Sequence, residues 1–275
     1  MMQSETIKPA NGGQQSPSPE EAIEVLKVAQ ISGLTDNGEP TLEQLAAQFA
    51  FGSLTFEDAL AATRDALLAN GIAQRALDAV ASLFLPGDVI ELCAIGTEGS
   101  VVAICEKLDC SEGRTALLEF INAQFGHRNL YLGVCPRKEH MAGERRRAKA
   151  QDVACRRHLV ADLDFKDAPD MDPDWARTVE ALSTLHPSMT VQSGNGFQVW
   201  LRAQEQRDEA LQSSSVGSLA DALAALGSDA VADPARIMRL PYTLNIPNER
   251  KRQRGAVLRL AVPVEQPANQ QELAA

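Results

Sequence analysis

Asp162 and Asp164 stand one residue apart in an otherwise apolar run, Arg157-His158-Leu159-Val160-Ala161-Asp162-Leu163-Asp164-Phe165. The run reads as a β-strand over 158–165. Alternation along a strand sends Leu159, Ala161, Leu163 and Phe165 to one face and Val160, Asp162 and Asp164 to the other. Two carboxylates on one face of a buried strand repel each other and require pairing, protonation or a bridging cation. Hard oxygen ligands at this spacing suit Mg²⁺ or Mn²⁺, which bind through one or two carboxylates and leave room for phosphates. A strand that simply ends in acids at a solvated loop has the same pattern.

A second element follows at Val191-Gln192-Ser193-Gly194-Asn195-Gly196-Phe197-Gln198-Val199-Trp200-Leu201. Asn-Gly between apolar arms signals a hairpin, and flanking glycines permit close backbone approach to a ligand. In the second arm Phe197, Val199 and Leu201 share one face, and Gln198, Trp200 and Arg202 the other. Ser193, the glycine amides and Gln198 together suit a phosphate or a nucleotide.

The third element runs from Gly227-Ser228-Asp229 through Asp233-Pro234-Ala235-Arg236-Ile237-Met238-Arg239-Leu240-Pro241 to Asn245. Asp233-Pro234 reads as a helix start, which places Arg236 and Arg239 on one face of a short helix over 234–239. Asp233 then has a capping role, and Asp229 is the better free carboxylate, with Asp233 the alternative. Arginine beside an acidic site points to phosphate recognition, because the guanidinium fork matches phosphate oxygens.

These elements, in this order, resemble the archaeo-eukaryotic primase superfamily, nearest its plasmid and phage branch, the RepB-like primases. That family carries an acid-x-acid strand, a Ser-Gly-x-Gly-x-His/Gln hairpin, and a third acid ahead of an Arg-x-x-Arg-Leu-Pro-Gly-x-x-Asn stretch. Here these read Asp162-Leu163-Asp164, Ser193 to Gln198, and Asp229 through Asn245. Leu85 to Leu92 and Asn129 to Val134 look like the start of the same domain, so the resemblance covers residues 83–250. Two positions depart from the pattern: Gln198 replaces the usual histidine, and Tyr242 replaces the glycine after Leu-Pro. Glutamine hydrogen-bonds a phosphate oxygen but adds no charge and moves no proton.

The resemblance implies an α/β (α+β) fold, the archaeo-eukaryotic primase catalytic core with an RRM-like sheet, preceded by a helical segment. It implies a DNA primase or primase-polymerase that uses two divalent metals, Mg²⁺ or Mn²⁺, and nucleoside triphosphates. Asp162, Asp164 and Asp229 would be the catalytic metal ligands. Ser193, Gly194, Gly196, Gln198, Arg236 and Arg239 would bind the nucleotide. The partners would be a single-stranded DNA template and a separate replicative helicase, in the replication of a plasmid or phage. A primase-fold protein that binds nucleic acid without polymerising, or a metal-dependent nuclease, is the alternative.

Charge sorts along the chain. The net charge is −11, but residues 1–130 hold 7 Lys/Arg against 18 Asp/Glu, while 131–275 hold 19 of each. Within the balanced half the cations cluster, which suits a phosphate backbone. Arg137, Lys138, Arg145, Arg146, Arg147 and Lys149 precede the acidic strand, and Arg250, Lys251, Arg252 and Arg254 follow the third element. Both clusters are candidate DNA contacts. The five cysteines have no metal-ligand spacing and read as reduced, mostly buried thiols. No apolar run is long enough to span a bilayer and no signal-peptide pattern opens the chain, so a cytoplasmic protein without a membrane partner is expected.

The expected organisation is a disordered tail over 1–18, an acidic helical segment over 19–82, a catalytic domain over 83–262 and a tail over 263–275. Helices are expected at 55–69, 72–84, 113–125, 172–185, 208–226 and 234–239, and strands at 88–95, 100–105, 129–134, 158–165, 189–193 and 197–202. Mixed short strands and helices with hairpin signals indicate α+β layering.

Overall fold

The computed structural model describes residues 55–164, 184–193, 196–207, 228, 233–254, 256 and 258–264. The expected helices at 172–185 and 208–226 lie almost wholly outside these residues, as do both terminal tails save Pro263 and Val264. The fold is α+β, with antiparallel sheets and helices grouped before and between the strands.

Two helices open the described chain. Helix α1 spans Phe56–Ala69, with Thr55 as N-cap in a reciprocal capping box with Asp58. Helix α2 spans Ile72–Leu83 and buries Ile72, Ala73, Ala76, Leu77, Val80 and Leu83 along one stripe. Strands β1 (Val89–Ile95) and β2 (Val101–Lys107) then form a hairpin, helix α3 (Ser111–Gln124) crosses back, and β3 (Asn129–Gly133) pairs with β1. The first sheet is completed by β7 (Ile237–Arg239), in the order β2-β1-β3-β7.

Alternation gives this sheet two unlike faces. Ile104, Leu92, Leu132 and Met238 stand side by side across its four strands and join the main hydrophobic core together with α2 and α3. Leu67, Ile72, Leu77 and Ile90 share that core, so the described part of the acidic segment packs with the sheet it precedes. The opposite face carries Glu91, Cys93, Asn129, Tyr131 and Arg239. The arginine-rich loop 137–149 covers part of it through Met141 and Ala148, which pack on Val89 and Cys105.

The second sheet has the order β10-β5-β6-β4, built from β4 (Arg156–Asp164), β5 (Met189–Gln192), β6 (Gly196–Gln206) and β10 (Val262–Pro263). Leu159, Ala161, Leu163, Phe197, Val199 and Leu201 form a separate core on one face. Val160 and Trp200 on the other face join the main core, and Asp162 continues their row. Val264 donates its N–H to Thr190, so the sheet edge runs past the boundary expected at 262. Strands β8 (Leu244–Asn245) and β9 (Arg259–Leu260) form a short ribbon around helix α4 (Glu249–Arg252).

The third element corrects the expected helix at 234–239. Asp233 accepts from the Ala235 N–H through its side chain and from the Arg236 N–H through its carbonyl, which makes a turn. The chain then enters β7, because Ile237 to Arg239 complete hydrogen bonds with β3 that a helix would leave open. An Asx turn and a helix N-cap draw on the same Asp-Pro chemistry, and the free edge of β3 decides between them. Among the described residues no helix is long and apolar enough to cross a membrane. All five cysteines are unpaired and all but Cys110 are buried, with burial pushing the Cys105 thiol up to about 12.

Candidate active site

The site forms where the polar face of the first sheet meets the Asp162 end of the second. Among the described residues strand β4 pairs with β6 alone, and its register sets Asp162 opposite Gln198 and Asp164 opposite Gly196. Asp162 is half-buried and Asp164 is exposed. The two acids therefore share a strand face but reach different depths. At Gly196 any Cβ would lie 2.2 Å from the Leu163 carbonyl oxygen and 3.0 Å from an Asp164 carboxylate oxygen. A side chain there would force the hairpin away from β4 and disturb Asp164.

Gln198 is buried, and both ends of its amide are engaged. Its Nε2 donates to Asp162 Oδ1 at 3.3 Å, and its Oε1 accepts the Arg239 backbone N–H at 2.6 Å. Because one donor faces a carboxylate and the acceptor faces an N–H, the amide has a single consistent orientation. The Asp162 N–H donates to Ser228 Oγ at 3.3 Å, which brings the third element to β4. Asp229, the expected third acid, lies outside the described residues, as do Gly194 and Asn195. Ser193 closes the hairpin by donating its N–H to the Gly196 carbonyl at 2.9 Å.

The two arginines of the third element have different surroundings. Arg236 is exposed at 38 % of its side chain, and its Nη2 lies 3.8 Å from Asp162 Oδ2. Arg239 is buried. Its Nη1 donates to Asn129 Oδ1 at 2.7 Å, its Nη2 donates to Asn245 Oδ1 at 3.0 Å, and the guanidinium carbon stands 4.5 Å from the Tyr131 ring centroid. Burial pulls this guanidinium below its ordinary pKa, opposed by Tyr131 and the Asp162 charge. In a helix the pair would have shared one face. In the strand Arg239 turns inward onto Tyr131, its register partner in β3.

The basic loop is largely committed to the protein itself. Arg137, expected on DNA, is instead fully buried: its Nε and Nη2 donate to Glu91 Oε2, whose side chain is also fully buried. A buried guanidinium is costly unless its charge or its N–H groups are met, and Gly133 makes room for this pair, since a Cβ there would lie 2.5 Å from Arg137 Nη2. Arg147 pairs with the other Glu91 oxygen at 3.3 Å. Arg137 and Arg147 also donate to the Pro234 and Ala235 carbonyls, so a single buried carboxylate ties the loop to the turn before Arg236.

Arg145 pairs with Glu106, and Arg146 with Asp152 and Glu144, yet both side chains keep about half their surface exposed. Burial alone would raise the Asp152 carboxyl, but the Lys149 N–H, Arg146 and His140 bring it down to about 2. Lys138, Lys149, Arg250, Lys251 and Arg254 are exposed. Arg252 is half-buried, pairs with Glu249 and Glu57 and stacks 4.5 Å from Phe56, which joins α4 to α1.

Asp162 and Asp164 offer hard oxygen donors of the kind that Mg²⁺ or Mn²⁺ takes, while Gln198 turns its N–H to Asp162 and keeps its oxygen on Arg239. Among the described residues no group of three or more His, Cys, Asp or Glu side chains is assembled. Four contributors lay in stretches the sequence reading matched to the family but gave no role: Glu91, Asn129, Tyr131 and Asn245. The signal for two of them lies in β3, where Asn129, Tyr131 and Gly133 alternate with Leu130, Leu132 and Val134. A two-residue period with one polar face marks a strand whose polar side is used.

No protein-family model matches the chain, and no curated protein does. Among solved structures it is similar to the AEP domain of the cyanophage S-2L primase-polymerase. That match has 14 % identity and a TM-score of 0.40 and covers 66 % of this chain and 82 % of the other. It is also similar to the primase RepB′, at 16 % identity and a TM-score of 0.41, covering 70 % of this chain and 56 % of that one.

Proposed function

We propose that this chain is a nucleotidyltransferase that synthesises primers on single-stranded DNA, in the replication of a plasmid or phage and alongside a separate helicase. The observation that carries the reading is the convergence on Asp162 of three residues from two elements distant from it in sequence. Gln198 from the hairpin, Ser228 from the third element and Arg236 from its turn all reach that one residue.

Asp162 and Asp164, with Asp229 as third ligand, would hold two divalent metal ions that activate the primer hydroxyl and neutralise the triphosphate. Gln198 fixes the Asp162 carboxylate through its amide. Arg236, half-exposed beside that carboxylate, would add a cation for phosphate oxygens, and Arg239 a buried one beneath the site. Ser193 and Gly196, joined by the Ser193 N–H to the Gly196 carbonyl, would flank the incoming phosphates. Exposed Lys138, Arg145, Arg146, Lys149, Arg250, Lys251 and Arg254 would track the template backbone.

The test is primer synthesis on circular single-stranded DNA with Mn²⁺ and both ribo- and deoxynucleoside triphosphates. Labelled oligonucleotides that depend on template and metal are the expected product. Template binding without product under every nucleotide and metal combination would replace this reading with a binding protein of the same fold.

A further inference from the structure

Two buried arginines in this protein are treated in opposite ways. Arg137 is neutralised by Glu91, whereas Arg239 forms no ion pair among the described residues. Arg239 is held by two amide oxygens and an aromatic face, each of which solvates a cation without cancelling its charge.

Both amides are locked in the orientation that presents oxygen. Asn129 Oδ1 also accepts the Ile246 N–H at 2.8 Å, while its Nδ2 donates to the Ile246 carbonyl at 3.0 Å. Asn245 Nδ2 donates to the Ser193 carbonyl at 2.7 Å, which joins the arginine to the start of the hairpin. Arg239 in turn gives its backbone N–H to Gln198, which holds Asp162. Among the described residues no carboxylate reaches ion-pair distance of this guanidinium, and its charge lies under both the hairpin and the Asp162 carboxylate, which acts on it from further away.

We propose that Asn129 and Asn245 are positioning residues that hold Arg239 without an ion-pair partner, so that a polyphosphate bound at the Asp162 end of the hairpin supplies one. The inference rests on the nucleotide reading above and adds the residues that set the anion affinity. A carboxylate at either asparagine position would satisfy Arg239 internally. It would stabilise the ligand-free protein and weaken the ligand, whereas a simple structural brace would lose both together.

The experiment uses the full chain with Asn245→Asp, Asn129→Asp and Asn245→Ala. It measures thermal unfolding without ligand, and calorimetric binding of inorganic triphosphate with Mn²⁺. Each aspartate gives up one amide donor, to Ser193 or to Ile246, so the two variants disturb different backbone and must agree. Both Asp variants are expected to raise Tm by a few degrees and to weaken triphosphate by about tenfold or more, the scale of one hydrogen bond to a charged group. Asn245→Ala is expected to lower Tm. Asp variants that melt lower, as the alanine does, overturn the inference, and so does an unchanged triphosphate affinity. Wild-type protein that binds no triphosphate overturns the nucleotide reading itself, and this inference about its ligand with it; that result is told apart by there being no affinity to lose.

Discussion

Asp162 and Asp164 occupy the same strand face with unequal engagement. Asp164 is exposed, so removing it touches little packing; Asp162 receives Gln198 and faces Arg236. Asp164→Ala is expected to abolish nucleotide incorporation while stability stays within about 0.5 kcal/mol of wild type. Asp162→Ala should abolish incorporation and also lower stability by about 1–3 kcal/mol, because the buried Gln198 amide loses its acceptor. That loss outweighs relief of repulsion between the two acids. Incorporation assays paired with urea melts check both, and normal incorporation by either variant would remove that acid from the metal site. Gln198, where the resembled family usually has histidine, is here a two-ended hydrogen-bond bridge, a role that needs no titratable proton. Tyr242, where that family has glycine, has a φ of 59°, the left-handed region that glycine occupies without strain.

The arginine-rich loop and the turn at 233–236 are held by one element they do not belong to. Strand β1 contributes Glu91, which pairs with Arg137 and Arg147, and these two arginines donate to carbonyls of the turn. Glu91→Gln leaves Arg137 buried without a counter-charge and is expected to cost about 3–5 kcal/mol. The loss should be local first: amides over 137–149 and 233–236 should exchange faster, while α2 and α3 keep their protection. Hydrogen exchange read segment by segment checks this. A uniform loss of protection would mean that Glu91 serves the whole core and not these two segments. Replacing Glu91 and Arg137 together by Leu and Met is expected to recover most of the stability, since a buried pair is costly mainly when it is broken.

Across the whole molecule, salt and pH give independent readouts. Each phosphate contact on a single strand contributes about −0.7 to the log-log salt slope, so neutralising Arg250, Lys251 and Arg254 should reduce the slope by roughly 2. Neutralising Arg252 should leave the slope unchanged, because that side chain is spent on Glu57, Glu249 and Phe56. Titrations of DNA binding against salt test the contrast, and equal slopes for the two variants would return these residues to a solvated surface. The pH response centres on His158, buried edge-on to Trp200 with ring centroids 6.0 Å apart. Burial, aided by Arg202 and Arg157, takes its pKa down to about 4 from 6.5. The unfolded chain then binds the proton that the folded chain refuses, so stability falls as pH drops through the window from 6.5 to 4. Between pH 7 and pH 5 the loss from this group should be about 2 kcal/mol. His158→Gln should remove that part of the pH dependence, as measured by urea unfolding at the two pH values.

The sequence by itself determined the first six strands and their faces. The alternation in 158–165 and 197–202 separates Leu159, Ala161 and Leu163 from Val160 and Asp162, and the structure places these two sets in different surroundings. Local capping and apolar periodicity likewise set α1, α2 and α3 within a residue or two of their observed ends. Only the tertiary structure decided what the third element becomes and which cations are free. Asp-Pro chemistry permits both a helix and a turn, and the open edge of β3 selects the turn and a strand. Arg137 and Arg254 look alike in sequence, but one is buried against Glu91 and the other is exposed, because burial depends on a carboxylate 46 residues away in the chain. Asn129 meets Arg239 from a different element far along the chain, a separation that leaves no local spacing to read, whereas Asn245 closes the same third element and only its contact had to come from the structure.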